Sequence, residues 1–258
     1  MATQAKVDPM HQFAIDQIAP LHLGPYDISF TTSAAWMMVA FLLLLGFFAL
    51  GMKRELVPGR WQMAAESVTG FIDNLVDVNI GPEGRVFVPY LFSLFMFILV
   101  ANFLGLLPLA IIPGAHPFTI TSQFSVTGLL AIMSFSIVII VGFWLHGLKF
   151  FSILVPHGTP ALMVPMIAVI ELISFMVRPI SLALRLFVAN IAGHILMEVF
   201  GSFIVSGIHG GLVGWAVSLL SFLFVVAVCA LELLIAALQA YVFALLTTLY
   251  LNDAVNLH

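Results

Sequence analysis

One apolar run, from about residue 161 to residue 205, decides most of what this chain can be, because it holds Arg178, Arg185 and His194 inside a stretch long enough to cross a bilayer. As a single helix its roughly 45 residues would extend ~67 Å, more than twice the ~30 Å thickness of the hydrocarbon, so it must tilt, bend or break. Pro179 is the natural place for a kink, since it lacks an amide donor and crowds the preceding turn. A lone arginine at mid-bilayer costs ~2.5–3.5 kcal/mol on insertion scales, so a partner, a cavity or a protein interface is expected to receive it. No acid lies within one helical turn of Arg185 to neutralise it.

The rest of the chain repeats the pattern. With 62% hydrophobic and 8% charged residues and a mean hydropathy of +1.19, the profile lies far outside that of a soluble domain. The expected fold is all-α and integral to the membrane, one domain over residues 1–258 with five membrane-crossing helices and one amphipathic helix. Residues 1–31 form an outer N-terminal segment with Pro9, Pro20 and Pro25, read first as a surface tail, with one or two helical turns around His11 to Ile18 as the alternative. Spans are expected over 32–52, 87–110 and 122–146, then two overlong runs over 160–206 and 212–251 joined by a turn at Gly207 to Gly214. Between the first two spans, residues 58–80 place Trp61, Ala64, Ala65, Val68, Phe71, Ile72, Leu75 and Val76 at helical spacing with Glu66, Asp73 and Asp77 between them, an amphipathic helix too polar to span. Residues 154–160, with His157 and Gly158, are expected to form a loop.

Several functions are excluded or disfavoured. A net charge of -4 on so few charges makes no basic field, so nucleic acid is not an expected partner. The single Cys229 lies in an apolar run, which rules out an internal disulfide and disfavours a metal cluster. The N-terminus lacks the layout of a cleavable signal peptide, so the first long run directs insertion. No internal repeat argues for an inverted-repeat transporter. Gly81-Pro-Glu-Gly84 lacks the lysine of a phosphate loop, and no nucleotide site or cofactor is expected. Orientation follows from the short-loop cations: Lys53, Arg54, Arg60, Arg85 and Lys149 place their loops in the cytoplasm, with the N-terminus outside and the C-terminus inside.

The polar residues of the last two runs sort into faces. Glu171, Arg178 and Arg185 are seven apart and share a stripe, and Ser181 lies about 40° from Arg185. Arg178 either snorkels or pairs with Glu171. His194 falls about 180° round from Arg185 and ~13 Å along the axis. On the last run Glu232, Gln239 and Tyr250 return nearly to one angle, and an antiparallel turn lets Glu232 approach His194 near the outer half of the membrane. Asn102, the strongly polar residue of the second span, is either a packing contact or part of the same path. An imidazole, a carboxylate and an amide in an apolar bundle suit proton transfer, whereas an arginine stays charged and acts as a barrier and as a partner for a mobile carboxylate.

At these residues the chain resembles subunit a of the F-type ATP synthases. The likeness covers nearly the whole chain and rests on Asp8-Pro-Met-His-Gln, Asn102-Phe-Leu-Gly-Leu-Leu-Pro108, Arg178-Pro-Ile-Ser-Leu-Ala-Leu-Arg-Leu-Phe187, Ala192-Gly-His194 and Leu238-Gln-Ala-Tyr-Val-Phe243 leading to Leu249-Tyr250. It implies the stator half of a rotary motor, with the two long runs as a tilted hairpin against the c-ring and with peripheral-stalk b-type subunits, lipid and protons as partners. By the same likeness Arg185 matches the essential arginine, His194, Glu232 and Gln239 the outer half-channel, and Glu171 with Ser181 the inner one. Ala189 stands where the family commonly has asparagine, and Asn190 follows it, a rotation of about 100°. His194 and Glu232 follow the mitochondrial arrangement, while some bacterial relatives exchange the two. The resemblance places the protein in a bacterial inner membrane, with the mitochondrial inner membrane as the alternative. The competing readings are a standalone proton-coupled transporter and a passive membrane scaffold, the second of which leaves Arg185 unexplained.

Overall fold

A computed structural model describes residues 17–20, 22–23, 26–27, 29–51, 59–107, 119–154, 163–208 and 210–256. Among the described residues six helices dominate: α1 (Thr32–Gly51), α2 (Arg60–Asn79), α3 (Val88–Leu106), α4 (Phe124–His146), α5 (Val164–Ile208) and α6 (Gly211–Val255). All but α2 belong to segments long and apolar enough to cross a membrane. Short 3₁₀ turns over Pro82–Phe87, Ile120–Ser122 and Gly147–Leu154 lead into α3, into α4 and out of α4. Gly147, at φ +56°, ends α4 in a conformation that side-chain-bearing residues rarely take.

The N-terminal segment differs from the expectation. Gln17 and Ile18, expected in a surface tail or in helical turns, lie in β1 (Gln17–Ala19), which pairs antiparallel with β4 (Phe30–Thr31) at the start of α1, and β2 (His22–Leu23) pairs with β3 (Tyr26–Asp27) between them. Pairing of this kind satisfies backbone groups that single helical turns leave open. Residues 11–16 lie outside the described residues, as do 108–110 at the end of the expected second span and 155–160 of the expected loop; Leu154 ends the 3₁₀ turn.

Helix α2 buries Ala65, Ile72, Leu75 and Val76 and exposes Glu66, Asp73 and Asp77. Phe71 joins it to both α3 and α6, with ring centroids 5.8 Å from Phe95 and 5.7 Å from Tyr241. The main core is shared by α2 through α6 and contains Leu91, Ile98, Phe175, Leu186, Phe243 and Leu251. A second cluster, with Ala40, Ala101, Leu104 and Val126, binds α1 to α3 and α4. Ala236, Ala240 and Ala244 recur every four residues on the buried side of α6, and such small side chains let neighbouring helices approach closely inside a membrane.

Helix α5 runs for 45 residues without a break at Pro179. An interior proline costs ~3 kcal/mol, yet here α5 is packed along α4 and α6, and Phe175, four residues before the proline, meets Phe135 of α4 at 4.8 Å. The turn to α6 is tight. Gly211 takes φ +67°, and a Cβ on Gly207 would overlap the Gly214 carbonyl oxygen and the Ser218 hydroxyl, so glycine is what permits the two helices to meet there. Ser218 Oγ donates to Ile204 O at 2.9 Å, and Phe200 stacks on Phe224 at 5.2 Å.

Candidate functional site in the last helical hairpin

Arg185 stands 21 residues from the start of α5 and 23 from its end, near the helix midpoint. It is exposed, as is Ser181 one turn earlier, and among the described residues it forms no ion pair. Its neighbours Leu182, Ala183 and Leu186 point the other way and are buried. The cation thus lies on the outer flank of the hairpin.

Toward the hairpin turn lies a first polar group. His194 is buried, and its Nε2 is hydrogen-bonded at 2.6 Å to Thr119 Oγ1, just before the Ile120–Ser122 turn. Glu232 of α6 is 6% exposed and its carboxylate rests directly on the backbone of Gly193, the residue beside His194. This follows from helix register: Gly193 precedes Gly207 by 14 residues on α5 and Glu232 follows Ser218 by 14 on α6, so the close pair at the turn fixes the close pair farther in. Glu232 Oε2 has no hydrogen-bond partner among the described residues. The hairpin therefore brings the carboxylate to the backbone of the imidazole's neighbour.

Between this group and Arg185 lies a buried junction. Asn102 of α3, 1% exposed, donates from Nδ2 to Ala236 O of α6 at 3.1 Å, and its Oδ1 accepts from Thr121 Oγ1 at 2.6 Å. Asn190 Nδ2 donates to Leu186 O at 2.8 Å and reaches Asn102 Oδ1 at 3.5 Å. One amide thus ties α3, α5, α6 and the turn before α4. Gln239 is half-buried on α6 and makes no side-chain hydrogen bond among the described residues.

On the other side of Arg185, seven residues earlier, Arg178 bonds Asp253 at 2.8 Å and lies 3.6 Å from Glu171. Its guanidinium also covers the Tyr250 ring at 5.0 Å and that of Phe175 at 5.7 Å. Of the two expectations for Arg178, the structure shows the Glu171 contact, while Asp253 lies beyond residue 251, where the hydropathy ends the last helix; α6 continues to Val255. The available signal was spacing: Asp253 follows Tyr250 by three residues and so shares its face. Thr119 and Thr121 were missed as well. Asp253→Ala is expected to lower the thermal midpoint of the purified subunit in detergent, by a destabilisation of about 1–2 kcal/mol, because it strips Arg178 of its closer acceptor. Asp253→Asn, which keeps an acceptor, is expected to lose less, and an unchanged midpoint in the alanine variant removes the pair from the account.

The class defined by this arrangement is a multi-pass α-helical membrane protein whose longest hairpin presents an exposed arginine between two partly buried polar groups. The chain belongs to the family described as ATP synthase A chain, whose profile matches residues 34–252. It is 60% identical to the ATP synthase subunit a of Novosphingobium aromaticivorans over 259 residues, covering 99% of both chains. It is 57% identical to that of Rhizorhabdus wittichii over 260 residues, covering 100% of this chain and 99% of the relative, and 54% identical to that of Zymomonas mobilis over 266 residues, covering 100% of both.

Proposed function

We propose that the protein is the stationary, proton-translocating subunit of a rotary ATP synthase in a bacterial inner membrane, with the outer flank of the α5–α6 hairpin turned toward a ring of c subunits. Arg185 carries the reading. A guanidinium at the midpoint of a membrane helix, exposed and without an ion pair among the described residues, is costly unless a partner supplies a carboxylate or another polar surface. The two polar groups lie on opposite sides of it along α5, which suits two half-channels that share no direct path. His194, Glu232 and Gln239 serve the outer one, and Glu171, Ser181 and Tyr250 the inner one, with Asn102 and Asn190 bracing the helices between. The fixed charge keeps protons from passing straight between them, so a proton crosses by riding the ring. The proton is the coupling ion of this reading. Peripheral-stalk b-type subunits would hold the chain against the torque of the ring.

Purification in a mild detergent tests the assignment. Ring and catalytic subunits are expected to copurify, and the isolated complex, returned to vesicles, is expected to pump protons on addition of ATP. A chain that purifies alone and carries substrate-stimulated proton flux points instead to a standalone transporter.

A further inference from the structure

The Thr119–His194 contact carries an inference beyond this reading and rests on it, since it concerns the residue that handles the proton on the outer side. We propose that Thr119 is a positioning residue that holds the His194 imidazole in one orientation through both halves of its proton cycle. Thr119 Oγ1 lies 2.6 Å from His194 Nε2, with Thr119 4% and His194 9% exposed. A hydroxyl can accept a hydrogen bond from a protonated ring nitrogen and can donate one to a bare nitrogen, whereas a carbonyl, a carboxylate or an ammonium can do only one of these. Threonine therefore stays bonded to Nε2 whichever state the ring is in. A ring that swung away on each transfer would lose its alignment with the next group on the path.

The position of the hydroxyl is set by α3 and not by the helix that carries the histidine. Thr119 O accepts from Ser122 N at 3.1 Å and from Ser122 Oγ at 2.6 Å, which fixes the backbone at the head of the 3₁₀ turn. The Thr119 side chain then lies flat on Gly105 of α3, where any Cβ would overlap both its hydroxyl and its methyl group. Two residues along, Thr121 is bonded to Asn102, one helical turn from Gly105. The turn is thus clamped at two points on one face of α3, and the hydroxyl is aimed across at α5. The groups that face His194 from its surroundings are Thr119 from the turn and Glu232 of α6 over Gly193, with Glu198 one turn farther along α5.

Three variants in the intact complex test this, with ATP-driven pumping measured per assembled complex. Thr119→Val keeps the shape and removes the hydroxyl, and is expected to pump about tenfold more slowly. Thr119→Ser keeps the hydroxyl and is expected to remain within about twofold of the parent. In a His194→Ala background, Thr119→Val is expected to have no further effect, because the group it positions is gone. If the valine variant yields no complex, Thr119→Ala takes its place with the same expectation. Wild-type pumping by the variant without the hydroxyl, a serine variant as slow as the valine one, or a further loss in the His194→Ala background each overturns the proposal. Wild-type pumping by His194→Ala alone overturns the underlying role of His194, whereas a slow His194→Ala beside a normal Thr119→Val removes Thr119 only.

Discussion

Arg185→Ala is expected to abolish ATP synthesis and ATP-driven proton pumping while leaving the complex assembled. The assembly half of this expectation follows from exposure: Arg185 contributes no ion pair among the described residues, and the neighbours that pack α5 against the core are Leu182, Ala183 and Leu186. The functional half follows from charge. At about 4 Å and an effective dielectric constant of about 20, a guanidinium attracts a carboxylate by ~4 kcal/mol, close to three decades in an equilibrium. In the proposed role, removing it would take away both the attraction that draws a ring carboxylate into its deprotonated form and the barrier between the two polar groups. Arg185→Lys keeps a charge but not the planar five-donor fork, so it too is expected to be severely impaired. Pumping near the wild-type rate in assembled Arg185→Ala complexes would end the essential role.

How much of this could be read from the residues depends on the range of the forces involved. Hydropathy acts over a whole span, so the five apolar helices and the amphipathic α2 were visible, and helix register alone placed Glu232 beside the His194 segment. Features decided by local competition were not. The strands at Gln17–Ala19 and Phe30–Thr31 are too short to show a period, and α6 outlasts its apolar run because Asp253 finds Arg178, 75 residues away in sequence. Thr119 lies just before the short Ile120–Ser122 turn, and nothing nearby in sequence marks it as a partner for a ring 75 residues later. Asn190, which the resemblance left one position out of register, reaches the Asn102 junction at 3.5 Å. For the expected His194–Glu232 pair, the structure gives the seat of the carboxylate, on the backbone of Gly193 beside the imidazole.

That seat gives the second large effect. Gly193→Ala is expected to reduce ATP-driven pumping by about a hundredfold, the lower end of what a well-placed acid–base group contributes. The added Cβ would fall where Glu232 Oε1 now lies and would press on the carboxylate carbon as well. Backbone in that place would force the helices apart, but the end of a glutamate can swing aside, so the hairpin is expected to form and the carboxylate to leave the imidazole's neighbourhood. Glu232→Asp shortens the side chain by one methylene, and the combination Gly193→Ala with Glu232→Asp is therefore expected to pump faster than Gly193→Ala alone. The same geometry bears on His194→Ala and Glu232→Ala: if the two groups pass one proton in sequence, their double variant is expected to be less impaired than the sum of the separate free-energy penalties. The exchanged chain, with His194→Glu and Glu232→His together, is expected to recover more activity than either substitution alone, since both titrating groups return to the same seat. Strictly additive penalties, or a Gly193→Ala complex that pumps normally, would show that Glu232 does not act from this position, and the outer path would then have to run past Gln239 without it.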